Sequence, residues 1–408
     1  MATALAFAYS ARDAAGKVVK GRLEAPSQSA VLAKLQTLGM TPISIEEAKA
    51  GTGLQMELSF GGGKRVTLKD LAIMSRQMST MIGAGLSLIR TLAILADQTE
   101  NKTLGNVLAT VRGDVEQGSS LSDSFAHHPR IFPPIMLHLL RAGEIGGFLD
   151  KSLVGVAETF EADVKLRGEI KSALTYPVVV LIIAVLASFG MIIFIVPVFE
   201  KMFAGLGGAL PLPTQFLVVM SHNMIWIVPV LVITIVAIIA WWRANGHKES
   251  VRARVDPLKL RLPVFGDLMK KVAIARFSRN FSTMLASGVP ILQALSIVGE
   301  TSGNFVIEKA LRKVQESVRQ GKTVSGPLSE EAVFPSMVVQ MIAVGEDAGS
   351  MEVMLDKVGD FYEAEVEATT KALTSLIEPL MIALIGIVVG GMVIALYLPT
   401  FSIYDQIK

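Results

Sequence analysis

The chain has 408 residues, 51% of them hydrophobic and 18% charged, and its 38 Lys and Arg nearly balance 36 Asp and Glu to leave a formal charge of +2. That is too apolar for a freely soluble protein, and near balance without a basic arm excludes a protein whose business is nucleic acid. With no cysteine, a disulfide framework, thiolate metal ligands and a cysteine nucleophile are excluded as well.

The opening MATALAFAYSARDAAGK lacks a basic segment ahead of an apolar one and meets Arg12 and Asp13 early, so no cleaved signal is expected. Residues 1–46 read as a small ββαβ module: an apolar run Leu5 to Tyr9, an alternating run Lys17 to Leu23, a helix opened by Pro26-Ser27 and stopped by Gly39, and a short strand Pro42 to Ile45. Residues 47–66 carry glycines 51, 53, 61, 62 and 63 with no apolar period, the mark of a flexible linker.

From 67 to 171 the apolar period is helical. Leu104, Val107, Leu108, Val111 and Val115 form one stripe, and Leu149, Leu153, Val156, Phe160 and Val164 a second. Residues 172–198 then hold an uncharged run long enough to cross roughly 30 Å of hydrocarbon. A short loop, 199–215, leads to a second span at 216–242, which carries Pro229 and ends in the interfacial Trp241-Trp242-Arg243. A basic connector follows at 243–269, a second helical region at 270–375, a third span at 376–399 and a tail at 400–408.

The second helical region repeats the first. SRQMSTMIGAG at Ser75 returns as SRNFSTMLASG at Ser278, an offset of 278 − 75 = 203 that also pairs Leu108 with Leu311 and Gly118 with Gly321. One deletion shifts it to 202, pairing Gly143-Glu144 with Gly345-Glu346, Gly147 with Gly349, Pro177 with Pro379 and Pro197 with Pro399. The stripes recur as Ile307, Ala310, Leu311, Val314, Val318 and as Met351, Leu355, Val358, Tyr362, Val366. About six helices per copy are expected.

Loop charge orients the chain. Nine Lys or Arg lie between Arg243 and Arg276, whereas Phe199 to Gln215 contains only Lys201, so the basic side is expected to be cytoplasmic, with the amino terminus inside and the carboxyl terminus outside. Two copies that keep their bundles on one side need one crossing back, which the unpaired middle span supplies. The fold class expected is thus an all-α integral membrane protein with two duplicated cytoplasmic six-helix bundles, three transmembrane helices and a small amino-terminal α+β module.

With YSARDAAGKVVKGRLEA, SRQMSTMIGAGL, SRNFSTMLASGV, AGEIGG, VGEDAGS, ALTYP, SLIEP, LPLPT, LRLPVFGDL and ALYLPTF in view, the chain resembles the inner-membrane platform proteins of type IV pilus and type II secretion machines, the PilC/GspF family, with the pilus branch favoured. The resemblance implies a non-enzymatic, homo-oligomeric platform. Its implied partners are a cytoplasmic hexameric ATPase, prepilin or pseudopilin subunits, and other inner-membrane machine components.

The candidate positions follow from the repeat. Gly143, Glu144, Gly147 and Gly345, Glu346, Gly349 read as Gly-Glu-x-x-Gly turns before the long helix of each copy, either as helix-start carboxylates or as the place where motor contact is transmitted. Glu378, before Pro379, is an ionisable group at a span mouth, either at headgroup level or touching another subunit or a pilin amino terminus. Gly386 and Gly390 form GxxxG, a helix-packing motif, and Pro177, Pro197, Pro379 and Pro399 are hinge candidates.

Other motifs read as structural. Gly321-Lys322-Thr323 lacks the P-loop glycine, since Glu316 occupies its place. His127 and His128 have no HExxH spacing, so no metal site, catalytic residue or cofactor is expected, although a weak hard-cation site among carboxylates stays open. A transporter would share internal repeats but needs a polar intramembrane path and usually more spans.

Overall fold

The computed structural model describes residues 5–12, 18–25, 28–37, 41–47, 65–204, 211–246, 248–263 and 265–406. The linker glycines, the Pro26-Ser27 pair, Gly39 and Leu210 lie outside them. Two compact units emerge, Met1–Gly63 and Lys64–Lys408.

The first unit contains β1 (Leu5–Arg12), β2 (Val18–Ala25), α1 (Gln28–Thr37) and β3 (Thr41–Glu47). Its sheet is antiparallel in the order β2-β1-β3, with Tyr9 opposite Gly21 on one side and Ile45 on the other. The β1–β3 register shifts between Ser10 and Ala11, next to Pro42, which has no N–H for the ladder. Ala11, Val31 and Leu35 are fully buried and pin the helix to the sheet.

The second unit opens with α2 (Leu68–Gly83), α3 (Leu88–Gln98), α4 (Lys102–Glu116), α5 (Leu121–Ala126), α6 (Pro134–Gly146) and α7 (Leu149–Gly190). After a π-helical segment, Met191–Ile195, come α8 (Val196–Ala204), α9 (Leu212–Asn245) and α10 (Glu249–Arg261). The six-helix pattern then returns as α11 (Phe265–Ala286), α12 (Ile291–Thr301), α13 (Phe305–Arg319), α14 (Ser325–Ser329), α15 (Ser336–Asp347) and α16 (Met351–Gln406).

Local signals repeat with the helices. Asn101 caps α4 by accepting from Thr103 and Leu104 N–H, and Asn304, 203 residues on, caps α13 by accepting from Val306 N–H. Left-handed glycines end matching helices at 85, 118 and 147 and again at 288, 321 and 349. The stripes meet inside: Leu104, Leu108 and Val111 of one copy and Ile307, Leu311 and Val314 of the other are fully buried, and both bundles share one continuous apolar core.

The first and third spans are not separate elements. A single run of helix extends from Leu149 to Phe203, and α16 continues for 56 residues, about 84 Å at 1.5 Å per residue. Neither 172 nor 376 is an element boundary, because the helix runs unbroken through both, and Gly168 just before the first keeps a helical backbone. Only 6%, 6% and 17% of the most apolar windows of the three spans are buried by protein, so most of that surface requires lipid.

Three further boundaries differ from the expectation. Helix α8 occupies the start of the expected 199–215 loop, where Phe199 packs on Phe203 and Tyr397. The backbone stays helical through Gln406, into the expected tail. Helix α11 begins at Phe265, inside the expected connector, whose own helix α10 docks on the second bundle. That docking uses Asp256, which accepts from Phe305 N–H at 3.1 Å, and an Arg252–Glu308 ion pair at 2.9 Å.

Candidate functional site

At each corner where a bundle hands over to its long helix, the Gly-Glu motif sits in the last turn of the preceding helix, α6 or α15, rather than in an open turn. Its carboxylate points back into the bundle. Glu144 accepts from the backbone N–H of Leu121 and, at 3.2 Å, of Ser122, at the amino end of α5. Glu346 repeats this at α14, accepting from Val324 N–H at 2.7 Å, Ser325 N–H at 3.2 Å and Ser325 Oγ at 2.9 Å. Each glutamate thus caps a helix 21 to 23 residues upstream, not the helix that follows it.

The glycines serve the same corner. A Cβ on Gly143 would collide with Ser152 Oγ, and one on Gly345 would lie 2.8 Å from the Met351 Cα, so both permit close approach of the penultimate and long helices. Gly147 and Gly349 take φ of +74° and +67° to turn the chain between them. The result is a rigid elbow at the root of each long helix, present in duplicate.

Above each elbow an arginine from the repeated Ser-Arg motif holds the long helix. Arg76 on α2 makes a paired contact with Glu161 on α7, at 2.7 and 2.5 Å. Its counterpart Arg279 on α11 gathers Asp356, Asp360 at 2.6 Å and Glu363 at 3.0 Å, all on α16. The two differ in solvent access, with side chains 40% and 17% exposed respectively. Burial works against the Arg279 charge, yet its bonds to Asp360 and Glu363 outweigh it and raise the guanidinium pKa, while Asp360 is lowered by the same contact.

Between the bundles, Arg276 of α11 binds Asp163 of α7 at 2.6 Å beside a cavity of about 210 Å³ that also meets Thr159, Arg167 and Asn280. Here burial dominates and lowers the Arg276 pKa despite the Asp163 charge. Helices α12 and α6 also meet between the bundles, where Gln293 lies 3.4 Å from His138 Nδ1. Burial, with Arg141 nearby, lowers the His138 pKa.

The hinge prolines all lie inside continuous helix. Pro399 has no N–H for the Ala395 carbonyl four residues back, and the Thr214 hydroxyl of α9 donates to that carbonyl instead. At the repeat-related Pro197, the π-helical turn bonds Val196 N–H to Met191 O, leaving Ile192 O as the next carbonyl in register. Ser221 Oγ of α9 donates to it at 2.8 Å. The unpaired middle span therefore supplies a hydroxyl at Pro197 and at Pro399.

The remaining candidates are not brought together with these. Glu378 is exposed at the mouth of the third span, beside Pro379. Among the described residues nothing approaches within 4 Å of a Cβ built on Gly386 or Gly390, so the GxxxG face is not used for packing within the chain. Gly321 ends α13 ahead of α14, and His127 lies 3.5 Å from Asp114. No group of three or more His, Asp and Glu poised to hold a metal occurs among the described residues.

Sequence reading missed Thr214 and Ser221, because an isolated hydroxyl in an apolar run acquires meaning only from the carbonyl opposite it. It also missed Ile145, which is 83% exposed at the first elbow where the second copy has Asp347. The change from an apolar to an acidic residue between AGEIGG and its duplicate VGEDAG is the signal that points to it.

Comparison with known proteins agrees with this duplicated architecture. The family model "Type II secretion system (T2SS), protein F" matches residues 74–197 and 277–399, and the protein F N-terminal domain model matches residues 1–46. The chain is 41% identical over 402 residues to the type IV pilus assembly protein PilC of Myxococcus xanthus, covering 98% of this chain and 96% of that one. It is 41% identical over 405 residues to PilC of Thermus thermophilus, covering 98% and 99%. Similarity extends to the type II secretion system protein F of Vibrio cholerae, 30% identical over 397 residues and covering 97% of each.

Proposed function

Because the chain belongs to the type II secretion system protein F family, we propose that it is the inner-membrane platform of a type IV pilus assembly machine, coupling a cytoplasmic hexameric ATPase to insertion or extraction of prepilin subunits. The observation that carries this reading is mechanical. Each bundle is joined to its span by helix without a loop, from Leu149 to Phe203 and from Met351 onward. Displacement of a bundle is therefore passed to the membrane segment instead of being absorbed at a joint.

Both bundles face the cytoplasm in this reading, which the nine basic residues between 243 and 276 support. The amino terminus is then inside and the carboxyl terminus outside. The platform performs no chemistry of its own and is a homo-oligomer. The two elbows, with Glu144 and Glu346 locked into the bundles, are the points through which motor force enters, and Ile145 is the exposed apolar contact at the first. Glu378 meets another subunit or the cationic amino terminus of a pilin.

A second reading, the same role in building a pseudopilus for type II secretion, is favoured by the protein F relatives; the higher identity to the pilus proteins at matching coverage ranks it below the first. Photo-crosslinking in cells from Ile145 and Asp347 tests the proposal. Adducts with the assembly ATPase or a pilin subunit are expected, and their absence from both positions would count decisively against it.

A further inference from the structure

Helix α10 has no counterpart in the duplicated sequence. Carried back at the 203 offset, its Arg254, Leu258 and Arg261 fall on Gly51, Gln55 and Leu58, so neither the charge nor the apolar pattern repeats. One face of this helix is committed to the second bundle. Asp256 is buried and accepts from Phe305 N–H, and Arg252 pairs with Glu308, which together fix that face on α13. The opposite face is free for another role.

Two contacts fix where α10 sits. The middle span ends at Asn245 and α10 begins at Glu249, after a tight exit at Gly246, where a Cβ would lie 2.6 Å from the Trp242 carbonyl oxygen. Near the far end of α10, Lys259 Nζ reaches back to 5.3 Å from the centre of the Trp242 ring. Both ends are thus held close to one point. A helix of 13 residues is about 20 Å long, so a rod pinned this way lies across the end of the span instead of extending it. Trp241 and Trp242 are exposed and mark the level at which that span leaves hydrocarbon.

Arg254, Leu258, Arg261 and Leu262 follow i, i+4, i+7, i+8 on the side of the helix away from Asp256, and all four are exposed. Leu258 and Leu262 are 63% and 46% exposed, and Phe265 at the start of α11 is 39% exposed. The charge around them is one-sided. Nine basic residues between 243 and 276 stand against three acids, and each acid is already held: Glu249 by Arg312 at 3.6 Å, Asp256 by Lys259 at 2.9 Å and Asp267 by Lys271 at 3.0 Å. The neighbouring Glu308 and Glu365 are held too, by Arg252 and Lys271. Among the described residues Arg243, Lys248, Arg254, Arg261 and Lys270 pair with no carboxylate.

Exposed leucines beside unpaired arginines, at the level where a span leaves the bilayer, match the layered chemistry of a lipid surface: apolar side chains enter the acyl boundary while guanidinium groups reach phosphate oxygens. The surface is also continuous with lipid already required, since protein buries only 6% of the most apolar window of the middle span. We propose that α10 lies on the leaflet in which the middle span ends, with Leu258 and Leu262 at the headgroup–acyl boundary and Arg254 and Arg261 on anionic phospholipid headgroups. Through its contacts with α13, this helix ties the second bundle to the membrane surface. The inference goes beyond the platform role and requires only that the middle span cross the bilayer.

The absence of native cysteine makes the test direct. Full-length Leu258→Cys carries a fluorophore in nanodiscs of equal parts phosphatidylcholine and phosphatidylglycerol, with brominated acyl chains on one lipid or on the other. Bromine on phosphatidylglycerol is expected to quench the label about fivefold more strongly, the local excess that a single basic residue at the headgroups supplies. Adding Arg254→Gln and Arg261→Gln should bring the two lipids level without moving the thermal melt, because both side chains are exposed. Equal quenching by the two lipids before those changes overturns the headgroup contact. Quenching no greater than at an exposed bundle position, Gln117→Cys, overturns the membrane contact itself. A Leu258→Cys label shielded from aqueous iodide yet unquenched by either lipid also overturns it, by assigning the face to a second copy of the chain. None of these outcomes touches the crosslinks to ATPase or pilin, so the platform reading stands or falls separately.

Discussion

At Glu346 a single carboxylate satisfies two backbone donors and a hydroxyl at the start of α14. Glu346→Gln keeps the shape but loses the charge and turns donors toward donors. A loss of about 1–2 kcal/mol is expected by chemical unfolding of the detergent-solubilised protein, with Glu144→Gln costing a similar amount. The two arginines should behave unequally. Arg76→Ala removes one exposed pair and is expected to cost under about 1 kcal/mol, whereas Arg279→Ala leaves three neighbouring carboxylates, one of them largely covered, without their shared cation and should cost about 1–2 kcal/mol. Equal losses in the same assay would contradict that ranking. The motif spacing was legible in the sequence because it occurs twice; the direction of each glutamate was not, since the donors it accepts from lie on a helix 21 to 23 residues away.

Among elements, the middle span acts as a splint for the other two. Thr214→Val should leave the Ala395 carbonyl without a donor in an apolar surrounding and cost about 1 kcal/mol, and Thr214→Ser should restore it. A thermal melt of all three proteins in lipid nanodiscs checks this, and an unchanged Thr214→Val melt would mean that the carbonyl finds another partner. The α6–α12 contact carries a pH dependence. His138 has a lowered pKa in the folded chain, so folding favours its neutral form. Its contribution is complete above the ordinary value of 6.5 and is lost as pH falls through the lower folded value. Stability measured by urea unfolding should therefore decline on acidification from 6.5 down through the lower folded value and level off beneath it, and His138→Gln should remove this part of the decline. Helical periodicity exposed the stripes, and uncharged length exposed the spans. Merging of bundle helix and span was hidden because composition changes at 172 and 376 while the backbone does not.

Across the whole molecule, duplication explains why three spans suffice: two parallel bundle-to-membrane rods need one returning helix, and that helix also holds the rods at Ile192 and Ala395. The repeat register revealed this plan together with the loop charges, since offsets of 203 and then 202 linked bundles, elbows and prolines. How the bundles meet stayed hidden, because α7 packs on α11 as well as on its own counterpart α16, and a contact between copies leaves no periodic signal within either. The central claim is that unbroken helix carries bundle motion into the membrane. Inserting four glycines after Ser375, with four alanines at the same place as the helical control, tests it in cells by counting surface pili. The account expects the alanine insertion to retain assembly and the glycine insertion to abolish it while protein level and membrane insertion stay normal. Normal piliation with the glycine insertion would contradict it.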